Sequence, residues 1–249
     1  SEATVAVEIA GEHLMTVVRV ASKGRGPRID KDYAKLAGID FMGGYTIGDP
    51  FVAAVLSPGH PLVVVVHAEA DSQTRNPFEE RLVGPLLDTL VQCYGLDAHH
   101  GLGVVVPHRA QRAALIADYP FLTVVDEATG ALRQSAVDTV ERFQGGERDV
   151  ILVSATESNR EYLLAAGDFL LDPRRLTVAL SRAKKKMVLV ASRSVFNLFS
   201  ANEATFEKAR LWKNLLRHTC TQPLWAGQRD GVAVEVWGNA ASGSGERGA

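Results

Sequence analysis

Three segments of the 249-residue chain combine arginine, glutamine, glutamate and paired glycines at spacings that suit phosphate chemistry. The first reads Gly-Val-Val-Val-Pro-His-Arg-Ala-Gln-Arg over 103–112: an apolar strand, a proline stop, then a helix carrying Arg109, Gln111 and Arg112. An arginine just past a buried strand can meet phosphate, because its planar fork gives bidentate, charge-assisted bonds. Taken alone, the segment also reads as the surface of an amphipathic helix. The second runs from Val137 to Asp149 and leads into an apolar strand. Its Gly145-Gly146 pair, set between Gln144 and Glu147, allows a tight bend with positive φ where a ligand can approach the backbone. A plain turn would account for the glycines, but not for Thr139, Gln144 and Glu147 at these offsets. The third runs from Arg175 to Lys186. At about 100° per residue a helix puts Arg175, Arg182 and Lys186 on one side, beside an apolar stripe of Leu176, Ala179, Leu180 and Ala183. Such arginines would be held in place, as preorganised charge requires.

Strands and helices must position these residues. Continuous apolar runs at Leu62–Val66, Gly103–Val106, Leu122–Val125, Val150–Val153 and Met187–Val190 predict strands buried on both faces. Asn76-Pro77-Phe78-Glu79 is a helix start, with an Asn cap, Pro at the first position and Glu at the third. Leu82, Leu86 and Leu90 continue that helix, with a kink expected at Pro85. Asp172-Pro173 opens another helix. Strands alternating with helices imply an α/β fold, a doubly wound parallel sheet with helices on both faces. Ligands in such sheets bind beyond the C-terminal strand ends, and the three segments are expected there. Residues 1–60 hold a predicted hairpin, Thr4–Ile9 with Met15–Val20, and form an accessory segment or a linker from an N-terminal half; 61–217 form the main domain; 218–249 hold one more strand, Val232–Trp237, and a Gly/Ser-rich tail.

Composition narrows the function classes. The apolar fraction of 46% and charged fraction of 22% are ordinary for a soluble domain. No run reaches the length of a membrane span, and no secretory signal opens the chain, so the cytoplasm is the expected location. Cys93 and Cys220 form no CxxC pair, which predicts reduced thiols rather than a zinc site. The net charge of −2 is unlike that of a dedicated nucleic-acid-binding domain. Yet Arg174, Arg175, Arg182, Lys184, Lys185, Lys186 and Arg193 fall in one stretch free of acid, as either a solvated face or an anion-facing one. His67, Glu69 and Asp71 alternate at a strand end and read as loop polarity rather than as metal ligands, since no further ligand set accompanies them. No nucleophile elbow occurs.

Taken in order, Val-Val-Pro-His-Arg-Ala-Gln-Arg, Asp-Thr-Val-Glu-Arg-Phe-Gln-Gly-Gly-Glu-Arg-Asp and Leu-Thr-Val-Ala-Leu-Ser-Arg-Ala-Lys resemble motifs IV, V and VI of superfamily 1 helicases. The likeness is to the 5′→3′ branch and covers roughly residues 61–200. It implies the C-terminal RecA-like domain of an ATP-dependent helicase or translocase. By this resemblance Arg112 and Arg182 reach the γ-phosphate, and Gln111, Gln144, Gly145 and Glu147 line the nucleotide. Thr139 lies near the nucleic-acid backbone. Gly146 stands where the family often has a basic residue. No Gly-x-x-x-x-Gly-Lys-Ser/Thr loop occurs in the sequence, and Val124–Ala128 only superficially resembles a Walker B strand. The expected partners are therefore an N-terminal RecA-like domain carrying Walker A and B, single-stranded DNA or RNA, and ATP with magnesium held mainly by that other domain. Alone, the chain is expected to be inactive. Two other readings are a non-catalytic RecA-like nucleic-acid-binding or scaffolding module, and an unrelated nucleotide-binding regulator.

Overall fold

The computed structural model describes residues 48–98, 100–139, 147–166 and 168–239. The hairpin predicted at Thr4–Ile9 and Met15–Val20 and the tail after Asn239 lie outside the described residues, as do the side chains of Leu176 and Leu180.

The chain enters through a short helix, α1 (Pro50–Val55), started by Pro50 and capped by Asp49, whose carboxylate accepts from the Phe51 amide at 2.9 Å. Strand β1 (Leu62–His67) follows, then α2 (Pro77–Asp88), which begins at the expected cap: Asn76 Oδ1 accepts from the Glu79 amide at 2.9 Å. Pro85 lies inside α2 without ending it, and the helix widens into a π-turn over Thr89–Cys93. Then come β2 (Leu102–Val105), α3 (Arg109–Asp118), a hairpin of β3 (Thr123–Val125) and β4 (Leu132–Ser135), and the two-residue β5 (Val137–Asp138). The second half holds β6 (Arg148–Ser154), α4 (Arg160–Ala166), α5 (Asp168–Leu171), α6 (Pro173–Leu180) and β7 (Ala183–Ser192). Helices α7 (Arg193–Phe196) and α8 (Glu203–Asn214) then lead to the hairpin of β8 (Gln222–Arg229) and β9 (Val232–Gly238).

Seven strands make one sheet in the order β5-β2-β6-β7-β1-β9-β8. The first five run parallel, while β9 lies antiparallel to β1 and β8 antiparallel to β9. Alternation along each central strand feeds two cores. Leu62, Val64 and Val66 join Ile151, Val153, Met187 and Leu189 against the helices from α4 to α8, with Trp212 at the centre. Val63, Val65, Val150, Leu152 and Val188 face α1, α2 and α3 through Phe51, Leu86, Leu87 and Leu115. Helices on both faces of a mainly parallel sheet give the RecA-like α/β architecture.

Two expectations are corrected. The run Leu122–Val125 is not a strand of the main sheet. Leu122 ends a 3-10 turn and is buried, while Thr123–Val125 pairs with β4 and leaves Val125 52% exposed. The place beside β2 goes to β5 instead, with Val104 level with Val137. Helix α6 also stops at Leu180 rather than continuing to Lys186, so Arg175, Arg182 and Lys186 share no helical face. Strand pairing wins there: Ala183 is level with Arg148, and Lys186 with Val150. Lys186 consequently points inward, 4% exposed, and its ammonium donates to the carbonyls of Ser57 at 2.8 Å and His60 at 2.7 Å. It is no part of an anion-facing surface.

Candidate nucleotide and nucleic-acid site

The loops after β1 and β6 are knitted together at the C-terminal edge of the sheet by buried polar groups. Glu79, fully buried in the first turn of α2, carries the centre of this network. Its carboxylate lies 2.9 Å from His67 Nε2, accepts from the Thr156 amide at 3.0 Å, and accepts from the Ser154 hydroxyl. Asn76 adds side-chain bonds to Glu69 at 2.8 Å and to the Thr156 carbonyl at 3.1 Å. Thr156 is held at φ 66°, a conformation that non-glycine residues rarely adopt and that this web of bonds enforces. Burial works to raise the Glu69 carboxyl, but bonds from Ser158, the Asp71 amide, Ser72 and Asn76 outweigh it and hold the group below its ordinary value. His67 and Glu69 are thus taken up by Glu79 and by this loop bonding, Asp71 is exposed, and no group of three metal-ligating side chains exists among the described residues.

Gln111, in the first turn of α3, belongs to the same network. It is buried, its carbonyl accepts from the Asn76 amide at 2.8 Å, and its NH2 donates to the Ser154 hydroxyl at 3.2 Å. One turn face away, Arg112 is half-buried; its Nε donates to the Val137 carbonyl at 3.0 Å and lies 3.5 Å from the Asp138 carboxylate. Thr139 follows β5 directly, its amide bonded to Asp138 Oδ1 at 2.9 Å. Arg112 and Thr139 therefore meet at the end of β5. Arg109 projects into solvent.

Glu147 and Arg182 sit elsewhere. Both precede their strands, β6 and β7, rather than following one, so the expectation that all three segments lie past strand C-termini is corrected for these two. The Arg148 amide donates to the Arg182 carbonyl at 2.9 Å, tying the two segments together at the start of the sheet. Val137 is level with Leu152 through β2, so this junction lies four residues, about 13 Å, lower along the strands than Arg112's anchor. Arg182 Nε is buried and has no hydrogen-bond partner among the described residues. Glu147 is exposed, 3.5 Å from Lys184 Nζ. Gln144 and Gly145 lie outside the described residues.

Sequence reasoning missed one pair at this edge. His108 stands at the N-cap position of α3, makes no capping bond with its side chain, and places Nε2 2.8 Å from Glu157 Oε1, with Tyr162 edge-on to the imidazole. Burial pushes the Glu157 carboxyl up, against the bond and charge of His108. Neither residue sits in a recognisable spacing with the other; only the register of β2 beside β6 brings them together.

Comparison with known proteins shows the family. A family model described as AAA domain matches residues 61–194, a span containing all three arginine- and glutamine-bearing segments. Over 159 residues the chain is 33% identical to the DNA replication ATP-dependent helicase/nuclease DNA2 of Mus musculus, covering 60% of this chain and 14% of that protein. It is 33% identical over 116 residues to the regulator of nonsense transcripts 1 homolog of Drosophila melanogaster, covering 46% of this chain and 8% of that one. It is also 34% identical over 125 residues to the helicase MOV-10 of Gallus gallus, covering 47% and 12%. The chain thus spans a small fraction of each relative's length. It belongs to the AAA domain family, as a superfamily 1 helicase domain of the 5′→3′ branch.

Proposed function

We propose that this chain is the second motor domain of an ATP-dependent helicase or translocase that acts on single-stranded DNA or RNA in the cytoplasm. ATP with magnesium would be held mainly by a first RecA-like domain bearing Walker A and B, and would supply the phosphoryl group whose transfer drives the motor. The observation that carries the reading is the partnerless, buried Nε of Arg182, on a backbone fixed by Arg148 and Ala179. A desolvated guanidinium nitrogen left without an acceptor fits an anion presented from outside the domain. Arg112 would swing from the Val137 carbonyl to the same phosphate. Because the two arginines start at different levels of the sheet, they would flank the phosphate from two sides, neutralising charge that grows in the transition state. Glu147, with Gln144 and Gly145, would line the nucleotide. Gln111 would act by holding the start of α3, since its amide is already bonded to Asn76 and Ser154. Thr139, at the C-terminal edge, would meet the strand's backbone.

The test is ATP hydrolysis by this chain alone and joined to a Walker-A-bearing first motor domain, each with and without single strands. Strand-stimulated turnover only in the joined protein supports the reading. Turnover by the chain alone, or silence in both, overturns it; silence in both would leave the non-catalytic scaffolding module, which the internally bonded Gln111 and Arg112 would suit.

A further inference from the structure

Past the end of β7 the chain presents an aromatic ring that the folded domain does not use. Phe196 and Leu198 are buried, Phe196 edge-on against Trp212 with ring centres 5.7 Å apart. Between them and α8, Phe199 is 62% exposed. Its exposure is not looseness: its neighbours anchor the loop, and Asn202 caps α8 by accepting from the Thr205 amide at 3.1 Å. The ring is braced edge-to-face by Phe206, 6.2 Å away at 76°, and Lys213 Nζ stands 5.2 Å from the Phe206 ring centre. That leaves a face of Phe199 open and puts positive charge next to the aromatic pair. Of the acids on α8, Glu207 is matched by Arg210 at 3.0 Å, and Glu203 stands in the first turn.

We infer that Phe199 is a stacking platform for one nucleobase of a single strand lying along the C-terminal edge of the sheet. This rests on the function proposed above. An exposed ring braced on one side, with a cation nearby, suits a ligand that has a flat apolar face and a phosphate beside it. The chain order agrees: β5, which delivers Thr139, and β7 end at the same sheet edge three strand spacings apart, about 14 Å, and α7 and the loop bearing Phe199 follow β7 from that edge. A strand that meets Thr139 with its backbone and runs along that edge past β7 heads toward the loop that bears Phe199.

The experiment is fluorescence anisotropy of the 249-residue chain with a labelled oligothymidine and with an abasic strand of equal length and charge. Phe199→Ala is expected to weaken oligothymidine binding about tenfold, leave abasic binding unchanged, and leave the thermal midpoint unchanged because the ring is exposed; Phe199→Trp should restore binding. Equal affinity of wild type and Phe199→Ala for oligothymidine, or equal loss on both strands, overturns the stacking role while leaving the motor reading standing. A wild-type chain that binds neither strand overturns the stacking role, and the motor reading then stands or falls on the turnover of the joined protein. Lowered turnover of the joined motor with unchanged strand affinity would assign the ring to a protein contact and also overturn the proposal.

Discussion

His67 Nε2 lies 2.9 Å from Glu79 Oε1, and both side chains are fully buried beneath the loops that close the sheet's C-terminal edge. A buried polar group is tolerated only while its hydrogen-bond partners stay. Glu79→Ala strands His67 and also removes the acceptor of the Thr156 amide and the Ser154 hydroxyl. Each stranded group costs about 1–3 kcal/mol, so the variant should lose at least that much, measured by urea unfolding; a loss under ~1 kcal/mol would mean the network is not the clamp described.

Lys186 sets a pH dependence of stability. Burial pushes its amine down to about 7 from the model-compound value of 10.5, while burial pushes the nearby Cys220 thiol up to about 12. Between pH 7 and 10.5 the unfolded chain binds more protons at this lysine than the folded one, so stability rises with pH. Above pH 9 the thiol ionises only when unfolded, and that opposes the gain. Denaturation midpoints should climb from pH 7 to 9 and then level off. In Lys186→Met the climb should disappear; a climb that persists in the variant would assign it to another group.

Arg182→Ala in the joined motor should cut ATP turnover by about 10³-fold or more while the unfolding midpoint stays near wild type. Arg182→Lys should not restore it, because a point charge lacks the planar fork. Undiminished turnover would remove Arg182 from the mechanism.

The turn between β8 and β9 uses Asp230 at φ 49° and Gly231 at φ 78°. Nothing obstructs a Cβ at Gly231, so the penalty for Gly231→Ala is purely conformational, about 1–2 kcal/mol. Gly59→Ala, with equal room and no positive φ, should be near neutral by the same melt. Equal midpoints for the two variants would show the turn to be relaxed in the folded chain.

The central strands were legible because burial on both faces leaves an unbroken apolar run, as at Leu62–Val66. Helix starts were legible because Asn76 and Asp172 each precede a proline and do cap it. What misled was local pattern set against pairing. The stretch around Arg182 keeps helical spacing, yet the ladder with β6 claims it from Ala183 onward. Strand β8 was overlooked although Asp230-Gly231 signals a hairpin, because Gln222–Arg229 alternates poorly and gains its order from β9. Within the site, the three segments could be read from residue types in a row. The clamp of Glu79, Asn76, Gln111 and Ser154 could not, because its members come from α2, α3 and β6, and only tertiary register brings them within bonding distance.

Strand β5, which ends just before Thr139, is laddered through β2 to β6, and β6 opens at Arg148 on the amide that donates to the Arg182 carbonyl. On the proposed reading this couples track to fuel: a tug on the nucleic acid at Thr139 is delivered, through the hydrogen-bond ladders of three neighbouring strands, to the backbone from which Arg182 reaches. Loosening those ladders would then alter how tightly stepping and hydrolysis keep time, even with every contacting side chain left in place.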